Sequence, residues 1–228
     1  MFRTISSALL AFGALVLAPL PAMADETPAW IAKSNAYTRQ LLLTEAQFDP
    51  ESAAANGLEQ FDGKSIDLGP KRSQRLIAAE RKQRAVFAAA EKSESDLLVR
   101  QDLQILLTSI DQTIEGTELN DKLLLDWTDV PQMIFGNMNE ALDPQIGPAR
   151  HAKALELLQR YTGLYAGTTP LVELAKARWA DSLSGGKVGP YKGKVEDTLG
   201  KTETYIAGIH ALFAKAGVKG ADKALETM

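Results

Sequence analysis

Two histidines, His151 and His210, are the chain's whole supply of imidazole. A zinc-peptidase helix needs two of them four residues apart, with a glutamate base, so that both rings reach one ion from one face. The pair here lies on distant segments, so a metal site would have to be assembled across the fold. Otherwise an isolated helical histidine reads as a surface or core side chain. Cysteine is absent, which excludes thiolate ligands, a cysteine nucleophile, disulfides and a lipid-bearing N-terminal cysteine. No Gly-x-Ser-x-Gly elbow presents a serine nucleophile. Gly57 and Gly63-Lys64-Ser65 approach a phosphate loop, but one residue too many separates the glycines. That extra residue moves backbone N–H groups out of the phosphate cradle.

Other residue types leave alternatives open. Glu118, Asp121, Asp126 and Asp129 offer hard oxygen ligands for calcium, without the alternation or closing glutamate of an EF-hand loop. Paired carboxylates also serve glycoside hydrolysis, and an acid-rich helical chain offers too many pairs to choose one. Trp30, Trp127 and Trp179 either line a groove or anchor helix packing. The lysine- and glycine-rich stretch from Gly185 to Lys194 either grips an anion or is a solvated connector. From residue types, no catalytic, cofactor-binding or metal-ligating residue is assigned.

The elements that must position these residues read as helices throughout. Thr27-Pro28 caps a helix from Ala29 to about Phe48, and Asp49-Pro50-Glu51 starts a short second one ending at Gly57. Phe61 to Pro70 reads as a loop. Lys71 to Lys92 is predicted helical, and Ser93 or Ser95 caps the next helix, which runs to about Glu118. In that helix Val99, Leu103, Leu106, Ile110 and Ile114 form one apolar stripe, widened by Leu98, Ile105 and Leu107. This places it near the centre of the core. The basic helix carrying Arg81, Lys82 and Arg84 and its acidic successor form an antiparallel hairpin, their charges meeting across a solvated seam. The alternative is a basic patch for an anionic ligand. Further helices are expected over Val130 to Leu142, Ala149 to Tyr161 (ending at Gly163) and from Pro170 through Leu183, with Glu173 closing a capping box. Two more cover Tyr191 to Leu199 and Thr202 to Ala216, and Ile206, Ile209, His210 and Phe213 share a face of the last. The class is all-α: an irregular multi-helix domain over residues 25–228 with an antiparallel helical hairpin at its centre.

Residues 1–24 read as a cleavable signal peptide: Arg3, an apolar run from Ala8 to Leu20, then Ala22-Met23-Ala24 before Asp25-Glu26. The run is shorter than the ~20 residues that span a bilayer. Export, with no disulfides, suits a periplasm better than an extracellular medium, although secretion stays open. Cleavage removes Arg3 and no acid, so 25 bases and 29 acids become 24 and 29, a net charge of −5. That balance argues against nucleic acid and anionic membrane as partners.

Ordered phrases resemble the amino-terminal region of the bacterial DUF885 family. They are Trp30-Ile31-Ala32-Lys33-Ser34-Asn35, Arg100-Gln101-Asp102-Leu103-Gln104-Ile105-Leu106, Gly116-Thr117-Glu118-Leu119-Asn120, Val130-Pro131-Gln132-Met133-Ile134-Phe135, Gly167 to Arg178 and Gly189-Pro190-Tyr191. The resemblance implies an exported, mostly helical, zinc-metallopeptidase-like protein. It also implies that zinc and its histidine-glutamate helix belong to a carboxyl-terminal part beyond Met228, so no site residue carries over. The expectation is a helical wall of a substrate channel, partnered by a peptide substrate or by that catalytic part, and not catalytic alone. The alternative is a stand-alone periplasmic helical module that binds a peptide or protein.

Overall fold

The computed structural model describes residues 28–183 and 185–228. The signal peptide and the Thr27 cap fall outside the described residues. The described chain is all-α: α1 (Ala29–Glu45), α2 (Pro50–Ala55), a 3-10 turn at Glu59–Phe61, α3 (Arg72–Ser93), α4 (Leu97–Leu123), α5 (Val130–Ala141), α6 (Pro148–Thr162), α7 (Leu171–Ser182), α8 (Lys192–Ala216) and α9 (Asp222–Glu226). Extended pairing among the described residues is limited to an isolated parallel bridge between Leu124 and Val188. No described helix is long and apolar enough to cross a membrane.

The α3–α4 hairpin is the most extensive helix pairing, and α1 packs against both members. Leu41, Phe87, Val99, Leu103 and Ile110 close this amino-terminal core, with the Tyr37 ring edge-on to Phe87 at 5.6 Å. The apolar stripe of α4 is thus buried along its narrow line. Of its expected widening only Leu107 packs on this core, while Leu98 and Ile105 are exposed. Three stacked helices can bury only one face of α4, so it borders the smaller core. The larger core belongs to α5–α9, around Met138, Leu158, Leu171, Ile209 and Phe213. Along the hairpin, Arg84 makes a two-pronged contact with Asp111 (2.5 and 2.9 Å) and Arg81 meets Glu118 at 2.7 Å. These pairs are well exposed, which is the solvated seam, and such pairs add little stability.

Several helix ends differ from expectation for identifiable reasons. Asp96, not Ser93 or Ser95, caps α4, accepting from the Leu98 and Val99 N–H groups. The capping box on α7 does not form. Pro170 stands at the cap without a side-chain acceptor, Thr168 Oγ1 turns back to the Tyr165 carbonyl, and Glu173 pairs with Lys176. The two carboxyl-terminal helices are one, α8, running through Gly200, whose added Cβ would meet nothing. On α8, Ile209 and Phe213 are buried but His210 is exposed, turned away from the face it was expected to share. Gly208 sets the closest approach in the larger core: a Cβ there would lie 2.6 Å from the Phe135 ring of α5. Gly163 ends α6 at φ +75°, with Pro170 packed where its side chain would be.

The segment between α2 and α3 joins the two cores. Asp67 N–H donates to the Phe48 carbonyl, and Leu68 inserts into the larger core. Asp62 grips Arg150 of α6 through two bonds of 2.7 Å, and Arg150 also donates to the Ala54 carbonyl at 2.8 Å.

Candidate functional site

The residues singled out as chemically capable are mostly accounted for by packing. His151 is buried in α6, where its Nε2–H donates to the Asp143 carbonyl at 2.9 Å; this is a satisfied core histidine. The four acids of the α4–α5 region are not brought to one point. Glu118 serves Arg81, Asp126 receives Arg178 at 2.7 Å, and Asp129 caps α5. Among the described residues no group of three His, Cys, Asp or Glu side chains could hold a metal ion. The zinc that the family resemblance implies finds no donor set to fit it among the described residues. Gly63 packs against α6 beside the Lys153 carbonyl, and Lys64 lies 4.6 Å from the Phe61 ring centroid, so these residues form a turn and not a phosphate cradle. Trp30 packs against the amino-terminal core.

Trp127 and Trp179 have the other fate weighed for them. Together with Val130, Pro131, Val172, Pro190 and Leu199 they line an open groove of about 440 Å³ between α5, α7 and α8. It continues past Val130, Pro131, Val172 and Thr202 into a second hollow of about 310 Å³, bounded by Ile134, Pro170, Ile206 and Met228. Large apolar side chains stay exposed at this end of the molecule. Val172, Leu199 and Tyr191 lie on or beside the groove, and Leu123, Leu124, Leu183 and Val188 lie around it. Exposed apolar residues lining an open groove mark a surface suited to cover another apolar surface.

The groove walls are held by local ties. Lys194 Nζ donates to Asp129 Oδ2 (2.8 Å) and Gln132 Oε1 (2.9 Å), and Thr198 donates to the same carboxylate at 2.7 Å. This clamp fixes the start of α8 on the start of α5, with Lys194 also 5.7 Å from the Trp127 ring centroid. Burial pushes the Asp129 carboxyl up, but the ammonium, the hydroxyl and the Gln132 N–H outweigh it and hold it below the usual carboxylate range. The hydrogen bond to Asp129 raises Lys194. The Gly185–Lys194 stretch is stitched to the α4–α5 connection: Val188 N–H donates to the Leu123 carbonyl (2.8 Å) and Leu125 N–H to the Val188 carbonyl (2.9 Å). The Asp126 N–H donates to Ser182 Oγ at 3.0 Å, seating the end of α7 on the same connection. The site is therefore a rigid apolar groove whose nearby charges are already paired. It suits binding of apolar side chains.

Comparison with protein-family models, with characterised proteins and with solved structures returns no match.

Proposed function

We propose that this chain is the amino-terminal helical part of an exported DUF885-type, zinc-metallopeptidase-like protein, and that its groove holds polypeptide against a zinc-bearing part. The ordered sequence phrases support the family reading. The observation that carries the role is the groove, with Trp127 and Trp179 on one wall system and exposed apolar residues continuing around it. Aromatic walls with self-paired charges favour apolar peptide side chains over phosphate. In this role the chain supplies binding and orientation, and bond cleavage comes from the zinc-bearing part. A self-contained periplasmic module would use the same groove. The apolar residues beyond it, Leu123, Leu124, Leu183 and Val188, extend past what one short peptide covers and favour the first reading.

Titration of the purified chain with a leucine- and valine-rich peptide, followed by tryptophan fluorescence, tests the role. Saturable quenching is expected from the groove tryptophans, and Trp179→Ala should remove most of it without abolishing the fold. Added zinc should produce no peptide cleavage. Zinc-dependent cleavage by this chain alone, or quenching that survives Trp179→Ala undiminished, would overturn the proposal.

A further inference from the structure

A pocket that shares no residue with the groove lies where α1 ends, α2 passes and α3 begins. It opens to solvent with about 210 Å³ of room, and Leu42, Phe48 and Leu76 give it an apolar wall. Glu45 and Arg72 line it together, yet neither is in an ion pair among the described residues. The carboxylates near Arg72 are engaged elsewhere: Asp67 with Arg75 at 2.5 Å, Asp126 with Arg178 at 2.7 Å, and Asp49 with the Ser52 N–H at 3.0 Å and hydroxyl at 2.9 Å. The charge that acts on Glu45 is that of another acid, Asp49. Both groups also sit at the helix end that disfavours them: Glu45 is the last residue of α1 and Arg72 the first of α3. Burial, then the Asp49 charge, pushes the Glu45 carboxyl up; burial, then the Arg178 charge, pulls Arg72 down. The functional atoms are the reachable ones. Of Arg72 only Nε is enclosed without a partner, and of Glu45 neither oxygen is, so the terminal guanidinium nitrogens and the carboxylate are open to a ligand.

We propose that this pocket binds a small aliphatic zwitterion, an amino acid or a dipeptide, with its carboxylate on Arg72 and its ammonium on Glu45. The two unanswered charges select the ligand. An anion alone leaves Glu45 without a counter-charge, and a cation alone leaves Arg72 without one. A carboxylate matches the two-pronged end of a guanidinium. An ammonium at Glu45 gains from the Asp49 charge beside it, the same charge that makes Glu45 costly when the pocket is empty. Glu45 and Asp49 are two acids only, short of a metal donor set among the described residues. The wall of Leu42, Phe48 and Leu76 matches an aliphatic side chain. The room lies below the roughly 300–1,000 Å³ of pockets for drug-sized ligands, which suits one or two residues and not a longer polypeptide.

Calorimetric titration of the purified chain with L-leucine and with L-leucylglycine tests this, beside L-leucinamide and 4-methylpentanoate, which keep one charge each. At about pH 7 saturable binding of a zwitterion is expected, with each single-charge ligand at least about tenfold weaker. Tighter binding of leucine names free amino acids as the source; tighter binding of leucylglycine names dipeptides. Glu45→Gln should weaken the zwitterion about tenfold and leave 4-methylpentanoate unchanged. Arg72→Gln should weaken it as much and leave leucinamide unchanged, with thermal melts showing that both variants are folded. The comparison of ligands on the wild-type chain needs no variant, so it decides the matter if one fails to fold. Neither zwitterion binding, a single-charge ligand binding as tightly, or undiminished binding to either folded variant overturns the proposal. Trp179→Ala, which removes the groove signal, should leave zwitterion binding unchanged, so this site and the groove stand or fall apart.

Discussion

A buried carboxyl at the α1–α3 contact, Glu80, is one of the groups that tie this chain's stability to pH. Glu80 is fully buried with both oxygens unpartnered, near Gln83, whose Oε1 lies 3.3 Å from the Thr44 hydroxyl. Burial first, then the neighbouring Glu45 charge, pushes Glu80 up to about 7. The folded chain thus keeps this proton over a range where the unfolded chain, near the ordinary 4.5, has released it. In that window the folded state binds more protons, so stability falls as pH rises from about 4.5 to about 7 and is flat above. Glu51, which burial also pushes up to about 7, acts in the same sense. Asp67, Asp129 and Glu156, held below the usual range by their cationic partners, act oppositely and cost stability as pH drops below about 4. Glu80→Gln preserves shape and removes the titration. Thermal melts should show the variant near wild type at about pH 4 and more stable at about pH 8, by at most on the order of 3 kcal/mol. A variant that melts lower at both pH values would show that the Glu80 carboxylate has a partner and is not a liability.

At the scale of elements, α8 offers a paired comparison within one helix. Gly200 has open space where a Cβ would go, whereas at Gly208 a Cβ would press into the Phe135 ring, itself packed on Tyr205 with centroids 5.3 Å apart. Alanine gains up to about 1 kcal/mol over glycine in a helix interior. Overpacking costs about 1–3 kcal/mol where a ring must shift. Gly200→Ala should therefore raise the melting temperature and Gly208→Ala lower it, measured side by side under the same conditions. The same helix marks a limit of sequence reading. Gly200 looked like a break between two helices, because local propensity penalises glycine and cannot see the tertiary packing that carries α8 through it. Where local chemistry and packing agree, as at Asp49-Pro50 and at Gly163, the sequence placed the helix ends to within a residue or two. The site was less legible. Trp127 and Trp179 were visible as groove candidates, but the sequence could not say that they share a wall while Trp30 does not. Glu45 and Arg72 read as ordinary helical residues; only the packing of α1, α2 and α3 brings them to one pocket.

For the whole molecule, the arrangement of two cores raises the question of whether they unfold together. The amino-terminal core of α1, α3 and α4 and the larger core of α5–α9 share few helix pairings; besides the end of α4, which is bonded to Val188, the ties between them run through α2 and the segment leading to α3. Leu68 supplies an apolar anchor, and the Asp62–Arg150 pair is the strongest polar one: bidentate, with side chains only 11% and 21% exposed. Removing one member leaves the other partly buried and unpaired, which costs more than the intact pair contributes. Because the burden falls on the joint and not on either core, Asp62→Ala should lower the coupling between them more than the stability of each. The tryptophans make this observable, since Trp30 reports on the first core while Trp127 and Trp179 report on the second. In denaturant, wild type should show one transition whichever tryptophans are kept, read from Trp30→Phe and Trp127→Phe/Trp179→Phe backgrounds. Asp62→Ala should separate the two midpoints, because two-state behaviour lasts only while the coupling exceeds the difference in core stabilities. Arg150→Ala should do the same, and the double variant should be little worse than either single one, as expected of residues acting through one contact. Coincident midpoints in all three variants would place the coupling on Leu68 and the apolar joint instead.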